Sequence, residues 1–106
     1  MEASVWRYVA RPGQEDLFEA LYGPKGGWAT FFHGSRDYSG SFLLQDPGRR
    51  RGYVLIDVWT SRTARDDYCT KNADRYGLLD QAGREITESE MHEGWFESVD
   101  EVLTRL

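Results

Sequence analysis

Tyr53-Val-Leu-Ile-Asp-Val-Trp-Thr-Ser61 is the stretch around which the chain is organised. From Tyr53 to Trp59 every position but Asp57 carries a bulky apolar or aromatic side chain, with no Gly or Pro, so both faces of this strand should be covered. Thr60 and Ser61 offer hydroxyls to the free N–H groups of a following turn, and Thr63-x-x-Asp66 has the form of a capping box, so the chain should pass here from strand to helix. Over 64–76, Ala64, Tyr68, Asn72 and Tyr76 recur every four positions on one side, with a stop expected at Gly77. Arg62, Arg65, Asp66, Asp67, Lys71, Asp74 and Arg75 fall on the other side. The inner stripe is polar for a helix that faces a sheet. Two phenols and an amide buried without partners would cost about 1–3 kcal/mol each, so they call for hydrogen bonds or a ligand. Asp57, alone in an apolar strand, equally needs a partner, for which Arg7 is one choice.

Outward from this unit, Ser4 to Ala10 alternates as a strand. Leu17, Phe18, Leu21 and Tyr22 form one face of a helix over 14–22, and Trp28, Phe31 and Phe32 recur at i, i+3 and i+4 in a second short helix ending near Gly34. Tyr38 to Gln45 reads as the second strand, and Asp46 to Gly52 as a solvated hairpin loop that includes Arg49, Arg50 and Arg51. Leu78 to Ala82 adds a helical turn, and 85–88 is a linker. Ser89 to Val99 reads as a fourth strand with His92, Gly94 and Phe96 on one face. Ser98-Val-Asp-Glu101 opens a short terminal helix. The order strand, helix, strand, strand, helix, strand predicts an α+β, ferredoxin-like βαββαβ protomer. Helices cover one face of such a sheet, yet the central strand is apolar on both, so a second copy is expected on the other: a homodimer.

The 106 residues make a single domain, residues 1–106, with one core. Thirteen Lys and Arg against 18 Asp and Glu give a net charge of -5, which disfavours nucleic acid as a partner. One cysteine, Cys69, excludes an internal disulfide framework and fits a reducing compartment. No apolar run approaches the roughly 20 residues of a membrane span, and the N-terminus lacks a signal-peptide pattern, so a cytoplasmic protein with no membrane partner is expected. No His, Cys and carboxylate set has metal-ligand spacing, so no metal is expected.

The segments Tyr22-Gly-Pro-Lys-Gly-Gly-Trp28, Tyr38-Ser-Gly-Ser-Phe-Leu-Leu44 and Tyr53 to Ser61 resemble the antibiotic biosynthesis monooxygenase family over roughly residues 4–97. The most specific part is Trp-x-Ser at Trp59 and Ser61. The resemblance implies a dimeric α+β barrel with a ligand cavity between the sheet and helices of each protomer. It implies a cofactor-independent monooxygenase acting on a small aromatic, phenolic molecule of polyketide or quinol type. Where the polyketide-oxidising branch has an asparagine four residues before the strand tryptophan and a tyrosine six after it, this chain has Leu55 and Arg65. The histidine and tryptophan of the haem-degrading branch are replaced near Leu78 and Tyr68, so haem chemistry is not expected. The candidate parts are His92 as general base, with His33 as the other histidine; Tyr68 and Asn72 as oxyanion donors; and Trp59, Tyr76, Trp28, Phe32 and His33 around the substrate. Cys69 reads as a small buried side chain. The other reading keeps the same cavity as a small-molecule binding site without turnover.

Overall fold

The computed structural model describes residues 1–99; the expected terminal helix at 102–106 lies outside the described residues. The elements are β1 (Glu2–Ala10), α1 (Glu15–Tyr22), α2 (Gly27–Phe32), β2 (Tyr38–Gln45), β3 (Gly52–Trp59), α3 (Arg62–Lys71), α4 (Ala73–Ile86) and β4 (Thr87–Glu97). The strands form one antiparallel sheet in the order β2-β3-β1-β4, the ferredoxin-like arrangement. The central β1–β3 pairing is regular, setting Ser4 against Asp57, Trp6 against Leu55 and Tyr8 against Tyr53.

On β3 the period-2 alternation points Tyr53, Leu55, Asp57 and Trp59 under the helices, where all are buried. Val54, Ile56 and Val58 point to the bare face and are half-buried. α1 lays Phe18 and Tyr22 onto Tyr8, Tyr53 and Leu55, while Leu17 is exposed rather than inward. α2 packs Ala29, Phe31 and Phe32 with Tyr38, Trp59 and Cys69. Trp28 touches both clusters.

The helical unit after β3 departs from its expected form. Its N-cap is Ser61, whose Oγ accepts from the Ala64 N–H at 3.1 Å, so Thr63 already lies inside the helix and caps nothing. The Arg62 N–H is taken by the Glu2 carboxylate at 2.7 Å. The single helix expected to stop at Gly77 is two, broken at Asn72 (φ −123°, ψ 37°). α4 then runs through Gly77 and Gly83 to Ile86, and Gly83 gives the Tyr22 hydroxyl room against the helix. No linker remains, since β4 begins at Thr87.

β4 is bulged against β1 between the pairs Val5–Gly94 and Trp6–His92, and again near Thr87. The first bulge inserts Glu93 and shifts the alternation, so His92 and Trp95 share the helix side while Gly94 and Phe96 lie on the bare one. The expectation that His92 shares a face with Gly94 and Phe96 fails for this reason. β2 has a similar bulge between Tyr38 and Gly40, which brings Tyr38 and Ser41 to the same face. Gly40 and Gly94, at φ 142° and 140°, supply the positive φ that these irregular sites need.

Candidate functional site

Between the sheet and α1, α2, α3 and α4 lies a cleft lined by Trp6, Tyr8, Tyr22, Trp28, Phe32, Leu55, Asp57, Arg65, Tyr76, Asp80 and Glu90. Its inner volume is about 60 Å³, room for a few waters. A ring-sized molecule would enter only as a wall gives way. Six of the lining side chains are aromatic, and Trp28 stands edge-on to Tyr76 with ring centroids 5.2 Å apart.

Asp57 is the carboxylate at the floor of this cleft, only 7% exposed. The Ser41 hydroxyl donates to Asp57 Oδ1 at 2.5 Å, so the Tyr38 hydroxyl, bonded to Ser41 Oγ in turn, donates to that oxygen. Burial pushes the Asp57 carboxyl up to about 6, against the lowering effects of the Ser41 hydrogen bond and the Arg65 charge. Arg7 is not its partner: it lies on the opposite face of the sheet and pairs with Glu93 at 2.8 Å and Asp46 at 3.5 Å.

Arg65 reaches the cleft from α3 with its side chain 21% exposed. It donates to the Tyr76 hydroxyl and to Asp66, each at 3.4 Å, and lies 5.5 Å from the centre of the Tyr76 ring. Sequence reasoning placed Arg65 on the outer side of its helix and gave Asp57 a structural role. The available signals were the isolation of Asp57 in β3 and the helical spacing of Arg65, Tyr68, Cys69, Asn72 and Tyr76.

Of the residues singled out from sequence, Tyr76, Trp28 and Phe32 line the cleft. Trp59 is fully buried one layer back, among Phe32, Tyr38 and Tyr68. The Tyr68 hydroxyl donates to the Phe31 carbonyl at 2.6 Å, tying α3 to α2. The Asn72 amide donates to the Tyr68 carbonyl at 2.9 Å, at the break between α3 and α4. His92 stands on the far side of Trp6, ring centroids 4.4 Å apart, with Nε2 2.9 Å from Ser4 Oγ. Its pKa is lowered by partial burial and by the charges of Arg65 and Arg62. His33 is exposed and meets Tyr38 edge-on. Among the described residues no group of three His, Cys, Asp or Glu could hold a metal ion, and no helix is long and apolar enough to cross a membrane.

No family model and no curated protein matches the sequence. Solved structures do match in fold. SnoaB, a cofactor-independent oxygenase from Streptomyces nogalater, is 22% identical with a TM-score of 0.76, over 95% of this chain and 95% of its own. A NIPSNAP family protein from Agrobacterium tumefaciens is 18% identical with a TM-score of 0.68, over 93% of each chain. A further protein described as an antibiotic biosynthesis monooxygenase is 15% identical with a TM-score of 0.65, over 94% of this chain and all of its own. Over nearly its whole length, then, this chain has the ferredoxin-like α+β fold of solved antibiotic biosynthesis monooxygenases.

Proposed function

We propose that the protein is a cofactor-independent monooxygenase that oxidises a small phenolic aromatic in the cleft above Asp57. The observation that carries this reading is a buried carboxylate at the floor of an aromatic-walled cleft, joined to hydroxyl donors, whose burial pushes its pKa up to about 6. A base of that strength is ionised at neutral pH and still holds a proton well enough to return it. The likeness in fold to SnoaB supports the reaction class.

In the reaction the Asp57 carboxylate takes the phenolic proton, leaving a phenolate with carbanion character at the para ring carbon. The phenolate passes one electron to dioxygen, and the phenoxyl radical and superoxide combine at the para carbon to form a C–O bond. The peroxide takes the proton from Asp57. Asp57 then removes the ring C–H proton as hydroxide leaves and passes that proton to the hydroxide, giving a quinone, water and ionised Asp57, so one oxygen atom enters the product and the other leaves as water. Trp6, Trp28, Phe32 and Tyr76 hold the ring and exclude water. Tyr68 and Asn72 act one layer back by fixing α2 and the start of α4, and His92 and Trp59 back the walls.

The protein works as a single-domain homodimer in this reading, the second copy covering the bare face with Phe42, Leu44, Met91 and Phe96, all about half exposed in the protomer. The free Cys69 fits a cytoplasmic setting. The experiment is to incubate the protein with 1,5-dihydroxynaphthalene under ¹⁸O₂ and follow 5-hydroxy-1,4-naphthoquinone by mass. One labelled oxygen per quinone, formed faster than in protein-free buffer, is expected; a rate equal to the buffer's removes the proposal.

A further inference from the structure

Besides Asp57, the cleft carries a cation at one end and two carboxylates at the other, none of which the reaction just described uses. Arg65 lies at the end marked by Asp57, and Glu90 and Asp80 at the other. The register fixes their separation: Asp57 pairs with Ser4 and Glu90 with Tyr8, four residues apart on β1, or about 13 Å along the strand. α4 repeats this order, with Tyr76 beside Arg65 and Asp80 one turn further on. Asp80 is itself engaged by Arg84 at 2.6 Å.

We infer that Arg65 seats an anionic substituent of the substrate, so that the ligand is a hydroxylated aromatic acid lying with its acidic end toward α3. This rests on the cleft being the substrate site. Among the described residues the acceptors of Arg65 are the Tyr76 hydroxyl and Asp66, both at the long limit of a hydrogen bond. A guanidinium has five donors, so most of its fork remains to receive a carboxylate, the geometry arginine matches in two parallel bonds. Glu90 repels an anion from the far end and accepts from a neutral hydroxyl there, while Asp80 is already paired with Arg84.

Asp57 would oppose the incoming anion if it stayed ionised. The groups facing it are Ser41 and Tyr38 from β2, Tyr8 from β1, Arg65 and Cys69 from α3, and Tyr76 from α4. Arg65 is the cation among them, so an anion on Arg65 removes the charge that favours ionised Asp57. Binding an acidic ligand therefore raises the proton affinity of Asp57: part of the complex takes up a proton at pH 7, and turnover runs through the part in which Asp57 stays ionised, where it is a stronger base than in the free protein.

The test is calorimetric titration with 1-hydroxy-2-naphthoate and with 1-naphthol, which differ by the carboxylate alone. The acid should bind at least about tenfold tighter than the naphthol to the parent protein, with proton uptake at pH 7 detected by comparing two buffers of different ionisation enthalpy. Arg65→Met should abolish the preference by weakening the acid alone, Arg65→Lys should keep part of it, and Asp57→Asn should remove the proton uptake. Equal affinity for the two probes, binding of neither, no proton uptake with the acid, or a full preference surviving in Arg65→Lys would each overturn the inference. Preference for the acid without labelled quinone from 1,5-dihydroxynaphthalene would leave the anion seat standing and remove the oxygenase reading. Labelled quinone with equal binding of acid and naphthol would do the reverse.

Discussion

On the helix-covered face of the sheet Ser4 and Asp57 are buried side by side, with Ser41 next to Asp57 on β2; on the other face Ile56 and Val58 are half covered, and Phe42, Leu44, Met91 and Phe96 are exposed. A sheet evolved only for the stability of a lone protomer would carry polar groups on the bare face and no carboxylate among the apolar side chains under the helices. Burying Asp57 where helices close over it weakens the fold, a cost that in the proposed reaction buys a proton acceptor. Leaving valines and phenylalanines uncovered weakens nothing once a second surface arrives.

The sharpest way to break this contrast is to neutralise the covered face. Asp57→Asn keeps the shape and an acceptor for Ser41 but removes the base, and turnover of 1,5-dihydroxynaphthalene should fall by a factor of about 10²–10⁴ in steady-state assays. The bare face is tested by Ile56→Glu, which buries a charge in the proposed contact between copies. Sedimentation should show the dimer dissociation constant rising by about 10²–10³-fold, with the protomer still folded.

The same Asp57→Asn variant should gain stability while losing activity. The native carboxyl titrates near 6 against an ordinary value of 3.8, so between these pH values the folded state holds a proton that the unfolded chain has released. Stability of the parent should therefore fall as pH rises from about 4 to 6 and stay lower above it, by something on the order of 3 kcal/mol at most. Denaturant midpoints of the asparagine variant should lack that slope. The smallest effect is expected from Ser41→Ala: without its hydroxyl donor Asp57 is harder to ionise, and the acidic limb of the rate profile should move upward by up to about one pH unit.

The elements were legible where the residues speak for themselves. β3 announces itself by apolar side chains on both faces, and the short α2 by the spacing of Trp28, Phe31 and Phe32. What escaped depends on phase. The stripe from Ala64 to Tyr76 assumed one continuous helix, but the chain breaks at Asn72, and Arg65 on α3 meets Tyr76 on α4 across that break. The inserted Glu93 reversed the sidedness of the end of β4, and no local residue pattern reveals a bulge whose cause is pairing with a distant strand. Arg7 and Asp57 suggested an ion pair by charge alone, but the register of β1 and β3 puts them on opposite faces. The site itself has no motif, because Asp57, Arg65 and Tyr76 come from three elements and meet only after folding.

The bulges that misled the reading of β4 have a consequence for solubility. They fall on β2 and β4, the two edges of the sheet, while the inner β1–β3 ladder is regular. An edge with a continuous row of free N–H and C=O groups is a template for adding another strand, and an apolar face beside it would favour runaway stacking into aggregates. Irregular edges interrupt that row on both sides, with Gly40 and Gly94 bending the backbone and Glu93 adding charge on β4. In the proposed homodimer, copies of the chain would thereby meet face to face, an association that closes after two, rather than edge to edge, one that never closes.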